Sequence, residues 1–340
     1  MTGRLRTVLV GLGKIGATYV GDNKMSTTVP YVTHAQVLAD HPQFRWDAAV
    51  DISEDAREYV SARFGIDRVV RAIEDIDRPD MVDVLVLATP PSSREAMLDA
   101  FPNLRAVLVE KPLGATLKES EAFVDKCKRR GIATQVNLTR RADQVMCRLA
   151  SGELTSRIGK VQCGFGVYGN GIVNYAPHTI DLVRMLVGEI KAVQALNRSR
   201  MFREGPLADD QNLSFTVFVE GNASVTLHPV GFGNYREGSL DLWGEKGRLE
   251  ILQEGLLVRT TARGDCRSLA GAFELTSDSS AIEATGYGRA LFDLYDDLAE
   301  AIKGERASTC SPCNSALATE RVVHAVLSSR DKGGTVVELP

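Results

Sequence analysis

The residues best suited to chemistry sit at the ends of short apolar runs. Gly11-Leu12-Gly13-Lys14-Ile15-Gly16 directly follows Thr7 to Val10. Glycines at this spacing let a chain turn tightly from a strand and bring its backbone amides against a pyrophosphate. Asp51 ends the run Trp46 to Val50, with Ile52 beside it. A carboxylate there accepts from both adenosine ribose hydroxyls and repels a 2′-phosphate, which favours NAD while leaving NADP open. A cap on the next helix, from Asp51 or Ser53, is the competing use. Thr89-Pro90 and Glu110-Lys111-Pro112 close two further buried runs, where open α/β sheets gather ligands. Lys111, followed by proline, is constrained, and its ammonium beside a cationic nicotinamide would be a better acid. In the second half, Pro177-His178 with Asp181 opens an apolar-striped helical segment. The helix amino terminus favours neutral imidazole there, and Asp181 opposes that.

Positioning these groups requires two kinds of architecture. From Arg6 to Asn137, strand-like runs (Thr7 to Val10, Trp46 to Val50, Val82 to Ala88, Ala106 to Val109, Ile132 to Val136) alternate with helical spacing over Ser53 to Phe64, Ser92 to Phe101 and Leu117 to Arg129. That alternation predicts an α/β Rossmann domain, a doubly wound parallel sheet, over 1–137. Asp51 lies farther from Gly16 than the usual twenty or so residues, so Tyr19 to Thr33 reads as an insertion. Residues 138–340 predict an α+β domain with a large, mostly antiparallel open sheet. Its strands are expected at Val161 to Tyr168, Ala192 to Arg198, Leu213 to Val219, Ala223 to Pro229, Ser239 to Trp243, Arg248 to Leu252 and Leu256 to Thr261. Gly221-Asn222 and Gly244-Glu-Lys-Gly247 supply turns, and helices are expected over Arg289 to Ile302 and Ser315 to Ser329.

The 340 residues are 44% hydrophobic and 25% charged, which fits folded domains and gives disordered, collagen-like or coiled-coil classes no support. A formal charge of −4 argues against a dedicated nucleic-acid or anionic-membrane binder. No apolar run reaches membrane-spanning length and no secretory leader is visible, so the expected location is cytoplasmic. The 6 cysteines are scattered and read as thiols. Cys310-Ser-Pro-Cys313 has no matching second pair, and His34, His41 and His228 lack partner patterns, so no metal is expected.

Taken together, Gly11 to Gly16, Val82 to Pro90, Val109-Glu110-Lys111-Pro112-Leu-Gly114, Asn137-Leu-Thr-Arg140-Arg141 and His178-Thr-Ile-Asp181-Leu resemble the glucose-fructose oxidoreductase / inositol dehydrogenase / rhizopine catabolism (Gfo/Idh/MocA) family over nearly the whole chain. The resemblance implies NAD(P)-dependent hydride transfer at a sugar or cyclitol hydroxyl, with homodimers or homotetramers built on the second domain's sheet. It places the family's lysine on Lys111 and its histidine on His178. His178 would then take or supply the hydroxyl proton while Lys111 polarises the oxygen. Asn137, Arg141, Tyr168, Asn174 and Asp181 would line the substrate side. Two positions depart from the pattern: Asn174 stands where many members have Asp, and Arg94 where a histidine is frequent. Asn174 and the insertion point to a glycoside, amino sugar or nucleotide sugar, including antibiotic carbohydrates, over free inositol. The alternatives are an inositol or cyclitol dehydrogenase and a non-catalytic NAD(P)-binding sugar sensor.

Overall fold

A computed structural model describes residues 3–21, 27–92, 94–196, 207 and 209–340. The chain forms two compact units, Met1–Ala142 with Tyr287–Leu317, and Asp143–Gly286 with Ala318–Pro340. These units divide the chain differently from the expected 1–137 and 138–340. The first runs past Asn137 and takes back a late segment. The reason is burial: the helix Ala290–Lys303 lays Leu291, Leu294, Tyr295 and Leu298 into the core on one face of the first unit's sheet.

That sheet has six parallel strands in the order β3-β2-β1-β4-β5-β6. They are β1 Leu5–Val10, β2 Phe44–Val50, β3 Val69–Val70, β4 Val84–Leu87, β5 Ala106–Val109 and β6 Ala133–Val136. Both faces are apolar because strand side chains alternate. Val84 and Val86 join one core, Leu85 and Leu87 the other, and β5 repeats the pattern. Sealing a leucine such as Leu85 or Leu108 from water contributes about 1.5–3 kcal/mol. The helix Leu117–Arg129 covers one face with Phe123 and Cys127.

The glycine turn does not run into one continuous helix. A first turn forms, with Ala17 N donating to Gly13 O, and the helix resumes only at His34–Asp40. His34 N donates to Ile15 O and Ala35 N to Gly16 O, bonds that residues 19 and 20 would make in an unbroken helix. The expected insertion, Tyr19 to Thr33, therefore interrupts a helix whose hydrogen-bond ladder is continued across the break; 22–26 of it lie outside the described residues. Thr33 caps the resumed piece, accepting from Gln36 N. The expected helix over Ser92 to Phe101 is shorter, Arg94–Met97 with one tighter turn after it, and Ser93 is outside the described residues.

The second unit is built on a nine-stranded sheet ordered β14-β13-β12-β11-β7-β10-β9-β8-β15. Its strands are β7 Val161–Tyr168, β8 Ile190–Ala195, β9 Phe215–Val219, β10 Ser224–Pro229, β11 Ser239–Gly244, β12 Gly247–Leu252, β13 Leu257–Asp265, β14 Phe273–Ala284 and β15 Val337–Glu338. All neighbours are antiparallel except β7 and β10. Positive φ at Gly221 (+89°) and Asn222 (+74°) turns β9 into β10. One face packs on Ile180 and Val183 of the helix Ala176–Leu186 and on Val322, Val323 and Val326. The other carries Phe165, Trp243 and Ile282, all exposed. β14 and β15 were not read from the sequence, and residues 197–198 of the strand expected over Ala192 to Arg198 lie outside the described residues.

Candidate active site

In the first unit, the glycine turn has the shape that a dinucleotide pyrophosphate needs. Gly11 has φ +92°, and a Cβ there would stand 2.6–2.8 Å from the backbone of Ala88 and Thr89. A Cβ on Gly16 would meet Gly11 O at 2.1 Å, whereas around Gly13 there is open space. The turn is thus closed against β4 and open at its middle residue, where backbone can approach a phosphate. Lys14 is exposed and Ile15 half-buried. Asp51 supports the same turn: its Oδ2 accepts from Leu12 N at 2.6 Å and its Oδ1 from Ser53 N at 2.8 Å. The cap on the helix Glu54–Phe64 is Ser53, which accepts from Ala56 N. Asp51 therefore keeps lone pairs for a ribose, next to an Ile52 side chain that is 84% exposed. Thr89 Oγ1 is buried without a hydrogen-bond partner, and Pro90 is exposed at the same strand end. These residues fit an NAD group: the turn for its pyrophosphate, Asp51 for its ribose, and an unsatisfied hydroxyl at the ligand edge of the sheet.

Glu110 and Lys111 follow β5. Glu110 is buried, and its Oε1 receives His34 Nε2 at 3.1 Å and the Asn137 side-chain amide. His34 Nδ1 in turn meets Tyr295 Oη at 2.9 Å. Burial pushes the Glu110 carboxyl up, but His34, the Asn137 amide and the Lys111 charge overcome it and hold it below the usual carboxylate value. Burial, with the Glu110 charge, drives the Tyr295 phenol well above its ordinary value, so it stays protonated. Lys111, half-buried and joined to Pro112 by a cis peptide bond, adjoins this chain of groups. Asn137 gives its amide to Glu110, while its Oδ1 is buried and unmatched. Arg141 is half-buried, and its neighbour Arg140 is the one that stacks on Tyr287, at 5.0 Å.

Arg94 has a clear place. Its buried guanidinium donates through Nη1 to the carbonyls of Glu110 and Pro112, and through Nη2 to that of Thr89.

In the second unit, His178 lies in the first turn of the helix Ala176–Leu186, with proline in that turn. Its ring meets the edge of Tyr175 at 5.6 Å, and Tyr175 Oη donates to Glu254 at 3.1 Å. The preceding turn is held from a distant loop. Asp210 accepts from Val173 N at 2.9 Å and Asn174 N at 2.8 Å, and Asn212 Oδ1 accepts from Gly171 N. Burial raises the Asp210 carboxyl above its ordinary value, and the backbone amides only partly offset that. Asn174 donates its side-chain amide to Asn170 O.

Two expected substrate residues lie in the interior of the second unit. Tyr168 is fully buried in the second unit's core, and its hydroxyl donates to Leu213 O at 2.6 Å while accepting from Leu213 N at 2.8 Å. Its alternation along β7 turns it inward, so it offers a ligand nothing. Asp181 is also buried, receiving Thr319 Oγ1 at 3.1 Å and lying 3.6 Å from Arg184, an ion pair internal to its unit. Conversely, His34, Tyr295, Tyr175 and Asp210 were missed. The sequence shows no partner pattern for His34 because the groups it meets lie 76 and 261 positions away. Among the described residues, no cluster of three or more His, Cys, Asp or Glu could hold a metal ion, and no helix is long and apolar enough to cross a membrane.

Residues 5–138 match a family model described as oxidoreductase family, NAD-binding Rossmann fold, and residues 166–250 match the GFO/IDH/MocA C-terminal domain. The scyllo-inositol 2-dehydrogenase (NAD(+)) of Bacillus subtilis is 27% identical over 66% of this chain and 66% of its own length. The dTDP-3,4-didehydro-2,6-dideoxy-alpha-D-glucose 3-reductase of Saccharopolyspora spinosa is 26% identical over 57% of this chain and 62% of its own. The chain thus spans just under two thirds of the length of each. The crystal structure of the WlbA dehydrogenase from Bordetella pertussis with NADH and UDP-GlcNAcA superposes with a TM-score of 0.73 at 18% identity, covering 99% of this chain and 98% of that one. With its parallel NAD-binding domain, its mostly antiparallel second sheet and both models matched in order, the chain belongs to the Gfo/Idh/MocA oxidoreductase family.

Proposed function

We propose that the protein is an NAD-dependent oxidoreductase that moves a hydride between the nicotinamide and a secondary alcohol of a small sugar: a glycoside, an amino sugar or a nucleotide sugar. The observation that carries this reading is Lys111. Its amine follows a buried, ionised Glu110 at the end of β5, on the sheet edge where the glycine turn and Asp51 fit NAD. When bound, the nicotinamide supplies the hydride acceptor. Gly11 to Gly16 would hold the pyrophosphate and Asp51 the adenosine ribose, with Ile52, Thr89 and Pro90 as further cofactor-side residues. His178 accepts the proton of the substrate hydroxyl, and Lys111 Nζ donates a hydrogen bond to the same oxygen and stabilises the negative charge that develops there. In the opposite direction His178 returns the proton. Asn137, Arg141 and Asn174 orient the sugar. The second unit's exposed Phe165 and Trp243 suit self-association into a homodimer or homotetramer.

A second reading, an inositol dehydrogenase, is supported by the scyllo-inositol relative. Incubating the protein with NAD and a panel of inositols, free sugars, glycosides and nucleotide sugars, and following NADH absorbance, separates the two. Turnover confined to inositols replaces the first reading with the second. NAD binding without turnover on any alcohol in the panel leaves a sensor.

A further inference from the structure

Lys111 is bracketed by a single side chain. The carbonyl of the residue before it, Glu110, and that of the residue after it, Pro112, are both bound by Arg94 Nη1, and Nη2 of the same guanidinium binds Thr89 O at the end of β4. Arg94 is buried and begins the short helix Arg94–Met97. A planar guanidinium offers five donors in fixed directions, so it can join strand ends in a geometry that an ammonium or an imidazole could not reproduce. It also places a fixed positive charge beside the peptide units that flank the Lys111 ammonium.

We propose that Arg94 is a positioning residue for Lys111: it ties the peptide groups on either side of the lysine to the end of β4, and so sets where Nζ stands. This rests on the role given to Lys111 under Proposed function. The Glu110 side chain is fixed independently by His34 and Asn137, so the backbone and the side chain beside Lys111 have separate restraints. The backbone restraint is the one that Arg94 supplies. A displacement of about 1 Å at a reacting group costs on the order of 100-fold in rate. Loss of the clamp is therefore expected to appear in kcat, while the glycine turn and Asp51 keep NAD binding.

The test uses the full chain with NAD and whichever alcohol supports turnover. Arg94→Ala is expected to lower kcat roughly 100-fold with the Kd for NAD changed by less than about 3-fold. Millimolar guanidinium should restore part of the rate, and urea at equal concentration should not. Arg94→Lys, which keeps the cation but loses the fork, is expected to fall between them and serves if the alanine variant does not fold. In a Lys111→Ala background, Arg94→Ala should cause no additional loss. Unchanged kcat in both variants, or full additivity with Lys111→Ala, overturns the proposal. If Lys111→Ala itself leaves turnover unchanged, the catalytic reading falls, and Arg94 is judged by amine labelling. Trinitrobenzenesulfonate modification of Lys111, mapped by mass spectrometry, should change in rate in Arg94→Lys if Arg94 places the lysine, and an identical rate overturns the proposal.

Discussion

Near its candidate site each unit buries a carboxylate with a shifted titration, and the two shifts run in opposite directions. In the first unit Glu110 is held below the ordinary value, because an imidazole, a side-chain amide and an ammonium together outweigh the cost of burial. In the second unit Asp210 lies above it, because burial outweighs the amides of Val173, Asn174 and their neighbours. The difference lies in the partners: an imidazole, a side-chain amide and an ammonium act against burial at Glu110, whereas backbone amides act against it at Asp210. It also separates two ways of holding a site. The first unit uses side chains brought together by a parallel sheet, and the second uses two loop residues, Asp210 and Asn212, that grip the turn before a helix.

The sharpest way to break the comparison is to remove the proposed proton handlers from each side. Lys111→Ala and His178→Ala are each expected to lower kcat by on the order of 100- to 10,000-fold in steady-state assays. NAD binding, followed by fluorescence titration, should change little in either. If only one variant loses activity, the chemistry belongs to one unit alone.

A smaller effect is expected at the grip itself. Asp210→Ala frees the amides of Val173 and Asn174, and should cost about 1–3 kcal/mol in denaturant unfolding along with part of kcat. An unchanged unfolding midpoint would show that the loop does not hold the turn.

The opposite titrations sharpen the comparison through pH. A depressed Glu110 adds stability that is present above its unfolded value and is lost as pH falls through the lower folded value. Glu110→Gln should therefore flatten the acid limb of stability against pH. A raised Asp210 adds stability that is present below its unfolded value and is lost as pH rises through the higher folded value. Asp210→Asn should remove that decline on the weakly acidic side. Thermal melts across the acid range would show both, and two variants with the same slope change would contradict the contrast.

Two further substitutions probe single contacts. Asp51→Ala should reduce the preference for NAD over NADP, read from the ratio of kcat/KM, and equal discrimination would remove Asp51 as the selector. Tyr168→Phe, which deletes a hydroxyl bonded to Leu213 on both sides, should cost roughly 1 kcal/mol of stability with KM for the alcohol unchanged.

Much of the first unit was legible because its signals are local. β5 runs over Ala106–Val109 as its apolar run marks it, and the helix Leu117–Arg129 matches its spacing. Glycine spacing gave the turn, and strand ends gave Asp51, Thr89 and Lys111. What escaped was long-range. His34 meets Glu110 only because an interrupted helix returns it to the turn, and Tyr295 reaches His34 from the far end of the chain. Arg94 had no visible purpose until the three carbonyls it binds came together. The resemblance puts Tyr168 on the substrate side, and alternation along β7 does not tell which of its residues turn into the core, where Tyr168 lies. β14, at the edge of the second sheet, is rich in serine and threonine and gave no apolar pattern to read.

The broken first helix has a consequence for how such a chain can diversify. His34 and Ala35 hang on Ile15 and Gly16 through two hydrogen bonds, so the turn and the later piece of helix stay in register across the break. The glycine turn is thereby anchored on both sides of the excursion, so changes of length within it are expected to disturb the cradle less than changes at Ile15, Gly16, His34 or Ala35.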